Sequence, residues 1–166
     1  HLSRGLAVAE YDLYRVEPEG PDTNPHFFRV EDGLRSMLGA LRTRNTLFNL
    51  HVRQLPMPKT KKEIDFLIDL VKREDIAAIW LGAFYHEDTE SWYYEDGTVL
   101  FESSAVQEIG EITTHFRQVS ETTLIPGCLA LFEDGVVRHR KCTNSIGLAL
   151  NYTAVPALQG TNNMIV

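Results

Sequence analysis

Apolar positions along the chain follow helical spacing early and strand spacing late. Over residues 1–25, Leu6, Val8, Tyr11, Leu13 and Val16 are separated by small or polar residues, the period of one or two strands. Pro18, Gly20, Pro21 and Pro25 then make a turn-rich loop, and His26–Val30 reads as a short strand. Leu34, Met37, Leu38 and Leu41 fall at i, i+3, i+4 and i+7, which predicts one apolar helix face. Asp32 is its expected N-cap, and Arg42, Arg44 and Asn45 suit its end. Gly33 and Gly39 weaken that helix, since glycine costs about 1 kcal/mol against alanine in a helix interior. A strand is expected within 47–55, broken by Pro56 and Pro58. Thr60-Lys61-Lys62-Glu63 is a capping box, and Ile64, Leu67, Ile68 and Val71 form the buried stripe of a second helix. Its wet side carries Lys61, Lys62, Asp65, Asp69, Lys72 and Arg73.

Beyond Ile76 the period changes to that of strands. Ile76–Phe84 is almost continuously apolar, as in a strand buried on both faces. Ser91–Tyr94, ended by the Glu95-Asp96-Gly97 turn, and Val99–Glu102 follow. Residues 103–126 show no clean period, and loops of that length usually carry function or move. Cys128–Phe132 and Val136–Cys142 flank Glu133-Asp134-Gly135, a hairpin signature. Ile146–Tyr152 is the last expected strand, and the tail after Pro156 lacks anchoring residues. Helices early and an antiparallel sheet late make the fold class α+β.

Bulk properties narrow the function. The 166 residues fit one domain with a sizeable core. A net charge of −7 argues against a nucleic-acid binder. No run approaches the roughly 20 apolar residues of a membrane span, so no membrane insertion by this segment is expected. A chain starting at His1 is expected to be a mature or excised fragment whose targeting sequence has been removed. The two cysteines, Cys128 and Cys142, are open to three readings: a disulfide, a redox pair or buried thiols. The hairpin between them makes a bridge geometrically easy, and a bridge implies an oxidising compartment. Motifs for a nucleophile elbow, a phosphate loop or a zinc protease are missing, so nothing positive suggests an enzyme, and no cofactor is expected.

Three segments, in order after two helices, resemble the C-type lectin family. Trp80-Leu81-Gly82-Ala83 resembles its Trp-Ile-Gly-Leu strand. Ser91-Trp92-Tyr93-Tyr94-Glu95-Asp96-Gly97-Thr98 resembles its tryptophan-rich segment ending in Asp-Gly, with Tyr94 at the second tryptophan. Cys128 and Cys142 resemble its inner disulfide pair, and Ile146–Tyr152 its closing strand. The resemblance covers about residues 26–152. It implies a C-type-lectin-like fold: two helices packed on antiparallel sheets, a long irregular loop and one disulfide. Residues 1–25 would be an extension whose strand closes against the last one, and 153–166 a tail. Trp80, Gly82 and Trp92 would be core landmarks.

The departures from the family matter equally. The outer disulfide has no cysteines here. The long loop lacks the Glu-Pro-Asn or Gln-Pro-Asp triplet, and Val137-Arg138-His139 stands where sugar-binding members carry Trp-Asn-Asp. Calcium takes some 6–8 oxygen ligands, so arginine and histidine there argue against calcium-bridged sugar binding. The resemblance then implies a calcium-independent extracellular or cell-surface recognition module, binding a protein ligand or packing against other domains of a parent protein. An acidic glycan, such as a sulfated one, is the alternative ligand.

Candidate contacts each have a plain alternative. Arg138-His139-Arg140-Lys141 is the densest basic run; it suits an acidic partner, or is a solvated edge strand whose charges deter pairing. Strand alternation puts Arg138 and Arg140 on one face, His139 and Lys141 on the other. In the long loop His115, Phe116, Arg117 and Glu121 are candidate contacts, or Phe116 tucks into the core. His86-Glu87-Asp88 and Glu133-Asp134 are acidic turns that could hold a cation or simply be solvated. Asn151-Tyr152-Thr153 is a glycosylation sequon, usable only if Asn151 points outward.

Overall fold

The computed structural model describes residues 13–16, 26–45, 51–101, 111–119 and 127–154. Among these, the elements run β1 (Leu13–Val16), β2 (His26–Val30), α1 (Met37–Arg44), β3 (His51–Gln54), α2 (Lys61–Glu74), β4 (Ala78–His86), β5 (Ser91–Tyr94) and β6 (Val99–Phe101). A 3-10 turn (Glu111–His115), β7 (Gln118–Val119), β8 (Cys128–Phe132), β9 (Val136–Arg140) and β10 (Ala149–Ala154) follow. The strands form a four-stranded sheet, β1-β2-β10-β3, and a six-stranded sheet, β6-β5-β4-β8-β9-β7. This is the expected α+β arrangement of two helices on two sheets. One pair departs from the antiparallel expectation: β7 runs parallel to β9.

The α2 helix forms where its sequence says it should. The Thr60 hydroxyl accepts from the Glu63 amide at 3.1 Å, satisfying an otherwise orphaned donor. Ile64, Leu67, Leu70 and Val71 are buried, while Ile68 is half-buried. Asp75 closes the helix in the left-handed conformation (φ 52°). Ala77 is also left-handed (φ 64°), so β4 starts at Ala78 rather than at Ile76.

The α1 helix differs from expectation. Gly33 turns the chain at φ +80°, and Arg35 bridges to Ile146, so the helix starts late. Ser36, not Asp32, is the N-cap; its hydroxyl accepts from the Gly39 amide at 3.2 Å. Met37 and Ala40 are the buried residues, and Leu34 and Leu38 lie 56% and 57% exposed. Two hydrogen bonds pin the start of the helix: Trp80 Nε1 donates to the Arg35 carbonyl at 2.7 Å, and the Met37 amide to the Cys142 carbonyl at 2.9 Å.

Strand alternation lets the six-stranded sheet serve two cores. Trp80, Cys128 and Ala130 pack with Met37, Leu55, Leu148 and Tyr152. Ile79, Leu81, Trp92, Leu129 and Val137 pack with Ile64, Leu67 and Val71 of α2. Gly82 lies where β4 passes the segment after β3. Its amide donates to the Pro56 carbonyl at 2.8 Å, and a Cβ there would come within 3.0 Å of Leu55 Cβ. Any larger residue there would have to push Leu55 aside by a few tenths of an ångström.

The closing of the fold also corrects the sequence reading. It is β2 that pairs with β10, from Ala149↔Val30 to Tyr152↔Phe27. β1 lies outside β2 and does not touch the last strand as a ladder neighbour. The tail after Pro156 lies outside the described residues.

Candidate recognition surface

The β8–β9 hairpin is held by a bond and by its turn. Cys128 and Cys142 form a disulfide with Cα atoms 5.2 Å apart. At the other end the Asp134 carboxylate accepts from the Val136 amide at 3.1 Å, an Asx-type turn. The same carboxylate takes a two-pronged contact from Arg138, at 3.1 and 2.8 Å. The Arg138 hydrogen bond holds the Asp134 carboxyl below the usual carboxylate range, and Asp134 in turn raises the guanidinium.

Residues of the basic run divide between two faces, as alternation predicts. The Arg138 and Arg140 guanidinium carbons lie 4.7 and 4.8 Å from the Phe132 ring centroid. Cation–π contact of this kind orients both side chains. Arg138 is neutralised by Asp134, whereas Arg140 has no carboxylate partner among the described residues. Lys141 is exposed beyond the strand.

His139 turns the other way. Its ring lies 6.3 Å from that of Trp92, edge to face, and Nε2 is enclosed without a hydrogen-bond partner. The ring also abuts Gly127; a Cβ on Gly127 would fall 2.0 Å from Nε2. Only glycine fits there while His139 keeps this rotamer. Arg138 and His139 thus offer a cation and a packed imidazole, not two oxygen ligands. Among the described residues no group of three or more His, Cys, Asp or Glu side chains is placed to hold a metal ion.

The described part of the long loop docks on this hairpin. β7 pairs Gln118 with Val136 and Val119 with Val137. The Arg117 amide donates to the Gly135 carbonyl at 3.1 Å, and its guanidinium to the Asp134 carbonyl at 3.4 Å. Arg117 and Arg138, read from separate stretches of sequence, therefore meet at Asp134. Phe116 is 6% exposed and sits in the core with Ile64 and Val137, which removes it from the contact surface. His115 is half-buried, and Arg117 is exposed. Glu121 lies outside the described residues. Sequence reasoning missed the role of Asp134, although an acid four residues before Arg138 was a signal in plain view.

The remaining candidates sit elsewhere. Trp80 and Trp92 are fully buried. Asn151 is half-buried on β10, with Oδ1 2.7 Å from His26 Nδ1. Glu87 and Asp88 lie exposed in the β4–β5 turn.

Comparison with known proteins agrees with this geometry at the level of fold. No family profile matches the sequence, and no curated protein matches it. Solved structures do. Human lithostathine superposes with a TM-score of 0.55 at 16% identity, covering 82% of this chain and 90% of that one. The C-type lectin CEL-I from Cucumaria echinata gives 0.55 at 12% identity, over 86% and 96%. TC14, a C-type lectin from the tunicate Polyandrocarpa misakiensis, gives 0.53 at 12% identity, over 76% and 96%. The chain has the C-type-lectin-like fold, with the Cys128–Cys142 disulfide in place.

Proposed function

We propose that this chain is a calcium-independent, non-catalytic recognition module of a secreted or cell-surface protein, and that it binds a protein partner. The fold supports a recognition role, and the disulfide fits an oxidising compartment. The observation that carries calcium independence is the state of Arg138 and His139. One is a cation locked to Asp134; the other is an imidazole packed on Trp92 and Gly127. Neither supplies the oxygens that calcium requires. The contact face is the one that Arg117, Arg138 and His115 share, where the long loop meets β9. Arginine held by a neighbour is preorganised for contact and loses little freedom on binding.

Isothermal titration with calcium chloride tests this directly. No heat of binding is expected at millimolar calcium; stoichiometric binding, with sugar affinity that depends on it, would sink the reading. A second reading, binding of acidic glycans without calcium, is favoured by one observation. Arg140 is fixed against Phe132 yet has no carboxylate partner among the described residues. A glycan array run with chelator separates the two: sulfated glycans retained by wild type and lost in Arg140→Ala support the second.

A further inference from the structure

The sequence builds an apolar stripe on α1 wider than the fold uses. Leu34, Met37, Leu38 and Leu41 have the spacing of one buried face, yet Leu34 and Leu38 stay exposed. They are the only large hydrophobics in that state among the described residues. Leu38 also borders a cleft of about 590 Å³. Met37, Leu38 and Leu41 form one wall; Phe84, Tyr85 and the Cys128–Cys142 disulfide form the other. Scattered exposed leucines are ordinary. Leu38 is a different case, because it stands on the wall of an apolar cleft of ligand size (about 300–1,000 Å³).

Charge identifies the occupant. The described lining holds no Asp or Glu, in a chain with 23 acids against 16 Lys and Arg. Arg42 stands four residues after Leu38 on α1, the spacing that places side chains beside one another on a helix. Lys141 adjoins Cys142 on the opposite wall and is exposed. Neither of these two cations has a carboxylate partner among the described residues. The nearest acids along the chain, Glu87 and Asp88, lie past the end of β4 in the turn.

We infer that this cleft docks a polypeptide segment of a partner protein that carries an apolar side chain flanked by carboxylates. The apolar side chain would seat between Leu38 and Phe84, with the carboxylates against Arg42 and Lys141. A polysaccharide fits poorly, because the walls offer few hydrogen-bonding groups: Ser36, Thr143 and the Tyr85 hydroxyl. The inference rests on the protein-binding reading above but uses a surface other than the Arg117–Arg138 face.

The test is selection of a random dodecapeptide phage library on the folded chain, followed by synthesis of the enriched peptides. Expected are peptides with Leu or Phe beside Asp or Glu. Their affinity should fall at least about tenfold in Leu38→Asp, as one lost apolar anchor implies. Arg42→Glu and Lys141→Glu should each lower it several-fold, more at low salt than at high. Leu38 is exposed, so its variant should melt with wild type, and circular dichroism checks that. Arg117→Glu should leave peptide binding unchanged. Peptides displaced by Arg117→Glu but not by Leu38→Asp would overturn this docking site and leave the protein-binding reading standing. Enrichment of peptides without acids, no enrichment at all, or heparin retention lost in Lys141→Glu would each overturn it too.

Discussion

The two helices began with similar sequence credentials and ended differently. In α2 the apolar stripe faces the six-stranded sheet, and Ile64 and Leu67 have no solvent exposure. In α1 the same spacing leaves Leu38 in water and Leu34 outside the helix altogether, while Met37 and the small Ala40 fill the interface. The cause lies in what fixes each helix. α2 is positioned by its own stripe and its own caps. α1 is positioned from outside, by the Trp80–Arg35 and Met37–Cys142 hydrogen bonds, which set its rotation about its axis. Periodicity thus predicts burial only for a helix free to rotate its stripe inward.

Mutations should expose that difference, beginning with the largest effect. Leu67→Ala should cost about 2–5 kcal/mol of unfolding free energy, whereas Leu38→Ala should stay within about 0.5. Paired urea titrations measure both; equal losses would erase the contrast. Replacing Cys128 and Cys142 together by serine should cost about 3 kcal/mol in the chain-entropy account of a loop this short. Because Met37 bonds to Cys142, hydrogen exchange should then quicken in α1 more than in α2. Thr60→Ala and Ser36→Ala should each cost about 1 kcal/mol, since both hydroxyls cap a helix start. The smallest effect concerns Asp134. Its folded carboxyl titrates below the unfolded one, so its modest support is present above about pH 4 and fades as pH falls through the folded value. Arg138→Ala should move the Asp134 titration upward in an NMR pH series, with little change in melting at neutral pH.

Much of the chain from Thr60 onward was legible because its signals are local. Asp134-Gly135 names a hairpin, Thr60–Glu63 names a helix start, and Trp80-Leu81-Gly82 names a strand. The errors came from contacts distant in sequence. Nothing near Asp32 reveals that Arg35 will bridge to Ile146 and push the helix cap to Ser36. Nothing near Gln118 announces a parallel pair with Val136, since two residues carry no period. At the site, the opposite faces of Arg138 and His139 followed from alternation alone. The Phe132 stack and the Gly127 clearance depend on side chains brought together by the fold, and single-chain periodicity does not encode them.

Strand order in the smaller sheet has a mechanical consequence. β1 and β10 run in the same direction on either side of β2. A pull applied outward at Leu13 and at Ala154 would therefore slide these strands lengthwise past β2. Ladder bonds lie across the strands, so such a load falls on all of them at once instead of parting them one after another. A module wired this way resists tension applied along the chain between those two points.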